Sequence, residues 1–371
     1  MDKKIYVSKK NVRKLLDKLN EIYEVFIPVQ DKESGIIDFR SMDRLDETSS
    51  INFKEKTRNS PKSIVFPSTE KLFSFEYIKD IENPKYPEIR ITENLDSGNT
   101  ANKDKKQKII FGIKPCDTRG IKSFDLVFKE DNKKDVYYDE KRTNVVLISI
   151  GCDQVFPDCF CISVGGNPFN FDNSDIGFVD AGDYLIVLKK NDSEIVKKII
   201  DENKEFFEEK DFKDEESKVV NDMISASIKK LEQSMEKIDE NLIEQIIESN
   251  FDENILWENI SEKCISCAAC TYVCPTCLCF DIGDELKNYS GERYRCWDFC
   301  TNYYYTLEAS GHNPRNEVFQ RYRNKINCKF NYFHKRKKVL YCVGCGRCVD
   351  ICPVGMDIRE ILKKLLIQAK V

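Results

Sequence analysis

The chain carries two complete cysteine runs of one kind. CISCAACTYVCP reads C-x2-C-x2-C-x3-C-P through Cys264, Cys267, Cys270, Cys274 and Pro275; CVGCGRCVDICP repeats it through Cys342, Cys345, Cys348, Cys352 and Pro353. No other feature restricts the local fold as much. Three closely spaced thiolates wrap one face of an iron–sulfur cubane, and the fourth cysteine serves the other cluster of the pair. The crossed assignment is therefore Cys264, Cys267, Cys270 and Cys352 for one [4Fe-4S] cluster, and Cys342, Cys345, Cys348 and Cys274 for the other. Each proline turns the chain out of the helix that continues its run. Zinc ribbons show separated C-x2-C pairs instead. Cys270, Cys274 and Cys277 also spell C-x3-C-x2-C, a spacing used by radical enzymes with S-adenosylmethionine, but the paired runs already claim two of these cysteines.

The remaining sequence supports thiolate chemistry in a reducing compartment. Of 17 cysteines, 13 fall between residues 257 and 371, against only two histidines, His312 and His334. With no leader-like apolar stretch at the N-terminus, the expected location is cytoplasmic, where a disulfide framework is disfavoured. No apolar run approaches the roughly 18 residues that cross a bilayer, so no membrane role is expected. A net charge of −5 from 59 basic and 64 acidic residues gives no global bias toward nucleic acid.

Hydrophobic periodicity divides the chain into an α/β N-terminal domain (1–212), a helical connector (213–256) and a ferredoxin-like dicluster domain (257–371) with a long insertion at about 275–341. A helix is predicted over 8–23, where Val12, Leu15, Leu16 and Leu19 recur at three and four, and EVFIPV reads as a strand. KIIFGI (108–113), the helix-like TRGIKSFDLVF and NVVLISI (144–150) form a parallel βαβ pattern. YLIVL (184–188) reads as a further strand and the following SEIVKKIIDENKEFF as a helix, while 92–107 reads as an exposed loop. Cys116 and Cys152 follow the two parallel strands directly, which brings both to one carboxyl edge, where open α/β sheets bind ligands.

With Cys159 and Cys161 in PDCFC, those two cysteines form a candidate third cluster set; the alternative is a role as small buried hydrophobes. Cys277, Cys279, Cys296 and Cys300 either hold another metal or pack around the cubanes, and Cys328 reads as structural. Arg321, Arg323, Lys325, Lys329 and KRKK (335–338) read as a basic patch, either a docking surface for an acidic carrier such as soluble ferredoxin or a plain solvated face. His312 in GHNPR either tunes a cluster or serves a turn.

Taken together, SPKSIVFPSTEKLF, FGIKPCDTRGIKSFD, CFCISVGG, CPTCLCFD, RCWDFC, GHNPR and CVGCGRCVDICPVGMDI resemble the beta subunits of cytosolic sulfhydrogenases and the related A subunits of anaerobic sulfite reductases. The resemblance implies an electron-transfer subunit with a flavin/NAD(P)H-binding partner and a terminal hydrogenase or siroheme sulfite reductase subunit. Cys296 and Cys328 fall outside the family pattern, and CISCAAC has alanines where a glycine is usual. The chain itself has no G-x-G-x-x-G or G-x4-G-K-[ST] fingerprint. Two other readings stay open: a stand-alone redox enzyme with a substrate site at the Cys116/Cys152 edge, and a nucleic-acid enzyme with structural clusters.

Overall fold

A computed structural model describes residues 3–79, 85, 87–93, 106–211 and 214–368. The loop expected over 92–107 lies largely outside the described residues. The strands are β1 (Lys3–Ser8), β2 (Glu24–Asp31), β3 (Ile37–Ser41), β4 (Ser49–Ile51), β5 (Thr69–Ile78), β6 (Glu88–Glu93), β7 (Lys108–Ile113), β8 (Val145–Ile150), β9 (Ile176–Asp180), β10 (Tyr184–Lys190), β11 (Glu208–Asp211), β12 (Phe280–Lys287) and β13 (Ser290–Trp297).

Among the described residues these strands form two sheets. The larger runs β11-β1-β10-β9-β8-β7-β2-β3, with β4 also on β2. Its centre is parallel: β2 with β7, β7 with β8, and β8 with β9. β8 and β9 are buried along their whole length and β7 along all but Lys108, which is the pattern of a sheet covered on both faces. The predicted βαβ unit is present, its crossover beginning with the helix Pro115–Phe128. The first predicted helix spans Lys9–Ile22 and packs Val12, Leu15, Leu16 and Leu19 against the sheet. The YLIVL strand runs antiparallel to β9.

The smaller sheet runs β12-β13-β5-β6 and is antiparallel. Its hairpin comes from the segment between the two cysteine runs, yet β13 pairs with β5 from the N-terminal half. Buried Arg295 on β13 pairs with Glu70 on β5 at 2.5 Å and with Asp135. This sheet straps the insertion onto the first half of the chain.

The two helices between Asp214 and Ser249 divide their loyalties. Val220, from Asp214–Glu232, packs with Tyr6, Val179 and Ile186 of the large sheet. Ile243, Ile246 and Ile247, from Glu240–Ser249, join Trp257, Ile326, Phe330 and Leu362 in the core beneath the cysteine runs. Phe160 and Val164, from the stretch after β8, enter that same core. The carboxyl edge of the large sheet is thereby pressed onto the cysteine-rich region.

Candidate metal centres

β7 and β8 end side by side, so the residues that follow them share one edge. Cys116 sits in the first turn of Pro115–Phe128 and Cys152 lies two residues past β8. Together with Cys159 and Cys161 they line one cavity, bordered by Lys54, Lys56 and Lys114. The Cys159–Cys161 loop is held against the second run: the Phe160 amide donates to the Gly344 carbonyl at 2.8 Å, and Cys159 Sγ lies 3.7 Å from the Cys345 carbonyl. Burial pushes the Cys152 thiol up to about 11 and raises that of Cys161 as well. Such thiols stay protonated until a bound cation makes the thiolate the stable form.

The first run folds the same way in miniature. Cys264, Cys267 and Cys270 line a second cavity, and the fourth cysteine lining it from outside the run is Cys352, at the end of the other run, with Cys348 beside it. The Met356 amide donates to Cys352 Sγ at 3.2 Å. Thr301 Oγ1, buried at this cavity, has no hydrogen-bond partner. In the second run, burial raises the thiols of Cys342, Cys345 and Cys348, and the nearby charge of Cys274 adds to the rise at each. The second run's last cysteine, Cys352, thus stands with the first run's first three. Among the described residues no group of three or more His, Cys, Asp or Glu closes to the spacing of a single metal ion. Donor chemistry and the orphaned Thr301 hydroxyl fit a cubane.

Both runs use left-handed backbone between their cysteines. Ser266 and Ala268 have φ of 56° and 61°, and the equivalent Gly344 and Gly346 have φ of 65° and 75°. The glycines answer a second demand. A Cβ on Gly346 would lie 2.6 Å from the Asp158 carbonyl carbon, and one on Gly344 would lie 2.5 Å from Cys161 Cα. The first run faces solvent instead, with Ile265 and Cys267 exposed, so alanine is tolerated there at some strain. Gly346→Ala is expected to cost about 3 kcal/mol, whereas Ala268→Gly should stabilise by about 0.5–1 kcal/mol. Anaerobic urea unfolding of the two variants measures this, and shifts of the same sign would contradict it.

The expected basic patch is surface only in part, with Lys335, Arg336 and Lys338 exposed. Arg321, Lys325 and Lys329 are buried at 5%, 5% and 3% exposure. They recur every four residues, so they share the helical face that looks at the cysteines. Lys325 Nζ donates to Cys270 Sγ at 2.9 Å, and Lys329 Nζ donates to Thr276 Oγ1 at 2.6 Å. Burial pulls the Lys325 ammonium down in pKa, but the charges of Cys270, Tyr322 and Cys348 and the hydrogen bond to Cys270 together outweigh it, and the net direction is well up. Of the outer cations, Lys335 pairs with Glu248 at 2.5 Å and Lys337 with Glu130 at 3.4 Å. His312 is exposed in a turn, its amide donating to Ser310 Oγ at 3.2 Å, and so does not touch a cysteine cavity.

Residues 263–356 match the family described as a 4Fe-4S dicluster domain. The chain is 33% identical over 260 residues to the sulfhydrogenase 2 subunit beta of Pyrococcus furiosus, an alignment spanning 69% of this chain and 73% of that one. This chain belongs to the sulfhydrogenase beta-subunit family. The resemblance carried by its motifs is therefore correct.

Within this sulfhydrogenase beta-family chain, sequence reasoning brought together Cys116, Cys152, Cys159 and Cys161 as well as the crossed fourth cysteines. It missed Cys328, which lines a cavity with Cys277, Cys279 and Cys300. Cys296 lies on β13 opposite Asp281 and Thr69, away from that cavity. It also missed Lys62, which is 1% exposed and donates to the Cys277 carbonyl at 3.0 Å. The inward cations had one legible signal, their four-residue spacing beside cysteine runs.

Proposed function

We propose that this chain relays single electrons through cysteine-ligated [4Fe-4S] clusters within a hydrogenase-type multi-subunit complex. The observation that supports this most directly is Cys352, from the end of the second run, lining one cavity with Cys264, Cys267 and Cys270. We assign Cys264, Cys267, Cys270 and Cys352 to one cluster and Cys342, Cys345, Cys348 and Cys274 to another. Cys116, Cys152, Cys159 and Cys161 are assigned to a third.

The order of the relay follows from shared walls. Cys345 borders the sheet-edge cavity, and Cys348 borders the first-run cavity. The second-run cluster therefore stands between the other two. Exposure of Cys267 and Ile265 makes the first-run cluster the natural exchange point with a partner. Nicotinamide and flavin chemistry is assigned to a partner subunit, since this chain carries no phosphate-binding fingerprint. The terminal partner is assigned as a hydrogenase, in line with the name of the Pyrococcus furiosus relative. Among the described residues no helix is long and apolar enough to cross a membrane. At the sheet edge, four thiols leave no ligand position open for a substrate, which favours a relay over a stand-alone enzyme.

Iron and acid-labile sulfide per chain after anaerobic purification, with EPR during stepwise reduction, tests the reading. At least about twelve irons with interacting cluster signals are expected. About eight irons would remove the sheet-edge cluster and keep the pair, and little iron with stoichiometric zinc would sink the relay altogether.

A further inference from the structure

Four of the five cysteines left over from these three sets converge, although they are spread over 52 positions of sequence, from Cys277 to Cys328. Cys277 and Cys279 follow the first run, Cys300 follows β13, and Cys328 opens the turn Cys328–Tyr332. All four line one cavity. We propose that Cys277, Cys279, Cys300 and Cys328 hold a fourth [4Fe-4S] cluster beside the second-run cluster.

Three observations beyond the cysteines point to a guest. Tyr341 lines the cavity at 2% exposure, and its hydroxyl has no hydrogen-bond partner. A buried hydroxyl is rarely left unsatisfied, and a cluster sulfur would accept its proton. Lys329 borders the same cavity at 3% exposure, bonded to the neutral Thr276 hydroxyl and set over the Tyr341 ring. A buried ammonium calls for an anion, and a cubane held by four thiolates is one. Finally, Cys328–Tyr332 is a π turn inserted between two α-helical segments. Such turns are rare and gather at functional sites.

The site is wired to the rest. The Cys277 amide donates to the carbonyl of Cys274, which we assign to the second-run cluster, at 3.4 Å. An electron entering here is lost by the second-run cluster, which is oxidised by one unit as the fourth is reduced by one. The second-run cluster then becomes a branch point with three neighbours, and the chain offers a place to hold an electron off the main line.

The test counts clusters by iron, sulfide and native mass spectrometry on anaerobically purified full-length chain. Cys300→Ala and Cys328→Ala should each lose about four irons and four sulfides per chain, one cluster's mass. Cys296→Ala, on the same hairpin but outside the cavity, should lose none. EPR signals of the two paired-run clusters should persist in all three variants, which separates failure here from failure of the relay itself. If Cys300→Ala does not accumulate as folded protein, Cys328→Ala decides, since it removes a half-buried sulfur from a helical segment. Cys328→Ala with the iron, sulfide and mass increment of wild type would overturn the proposal.

Discussion

Replacing Asp117 by alanine is expected to lower the stability of the chain by about 3–5 kcal/mol, the cost of stranding a buried charge. Asp117 follows Cys116, and its partner Arg347 lies between Cys345 and Cys348. The guanidinium donates to the two carboxylate oxygens at 2.7 and 2.8 Å, to the Thr57 carbonyl at 2.8 Å and to the Thr57 hydroxyl at 3.1 Å. Asp117, Arg347 and Thr57 are all at most 3% exposed. The bidentate fork fixes both distance and angle, so this pair sets the sheet-edge cavity in register with the second run. Without Asp117 the arginine keeps only the two Thr57 acceptors, and water does not reach it.

Anaerobic urea unfolding followed by fluorescence measures the loss. Removing both charges together, as Asp117→Leu with Arg347→Met, should recover most of it, because a buried pair replaced by apolar groups is often nearly neutral. A single variant within about 0.5 kcal/mol of wild type would mean that the pair contributes nothing. The single variant should also shed iron from the sheet-edge site before the paired runs, since that loop loses its anchor.

Lys325→Met should lower the reduction potential of the first-run cluster by at least about 60 mV, equivalent to a tenfold change in a one-electron equilibrium. Reduction adds negative charge to the cluster, and the Lys325 ammonium lies 2.9 Å from Cys270 Sγ. Charge and hydrogen bonds at cluster sulfurs are main determinants of potential, and burial leaves this charge little screened by salt. Methionine keeps the volume and removes the charge. Lys325→Arg should stay close to wild type, because it retains both charge and donor. An EPR-monitored redox titration reads the shift. A midpoint that does not move in Lys325→Met would show that the ammonium is electrically silent toward the first-run cluster.

Electron flow depends on that difference. The first-run cluster is the most exposed of those proposed, and the Lys325 cation beneath it favours its reduction. Electrons would then gather where a partner can collect them. Its counterpart near Cys274 is Lys329, which lies at the wall between the second run and the Cys277, Cys279, Cys300 and Cys328 cavity.

What the sequence determined by itself was local chemistry. Ligand spacing within each run, the proline after it, and the alternation of strand, helix and strand around Cys116 and Cys152 all arise over a few residues. The expectation that Cys352 stands with the first run also came from the spacing of the paired runs, and that cysteine lines the cavity of Cys264, Cys267 and Cys270. The tertiary structure alone decided three other matters. It paired β13 with β5 across more than 200 residues, a contact with no local signature. It turned Arg321, Lys325 and Lys329 inward, where a charge run ordinarily faces water, onto a face that looks at the cysteine cavities. And it collected Cys328 with Cys277, Cys279 and Cys300, residues that no spacing rule connects. Local propensity and ligand spacing act between neighbours in sequence, whereas burial acts between neighbours in space; only the folded chain shows which distant residues are the latter.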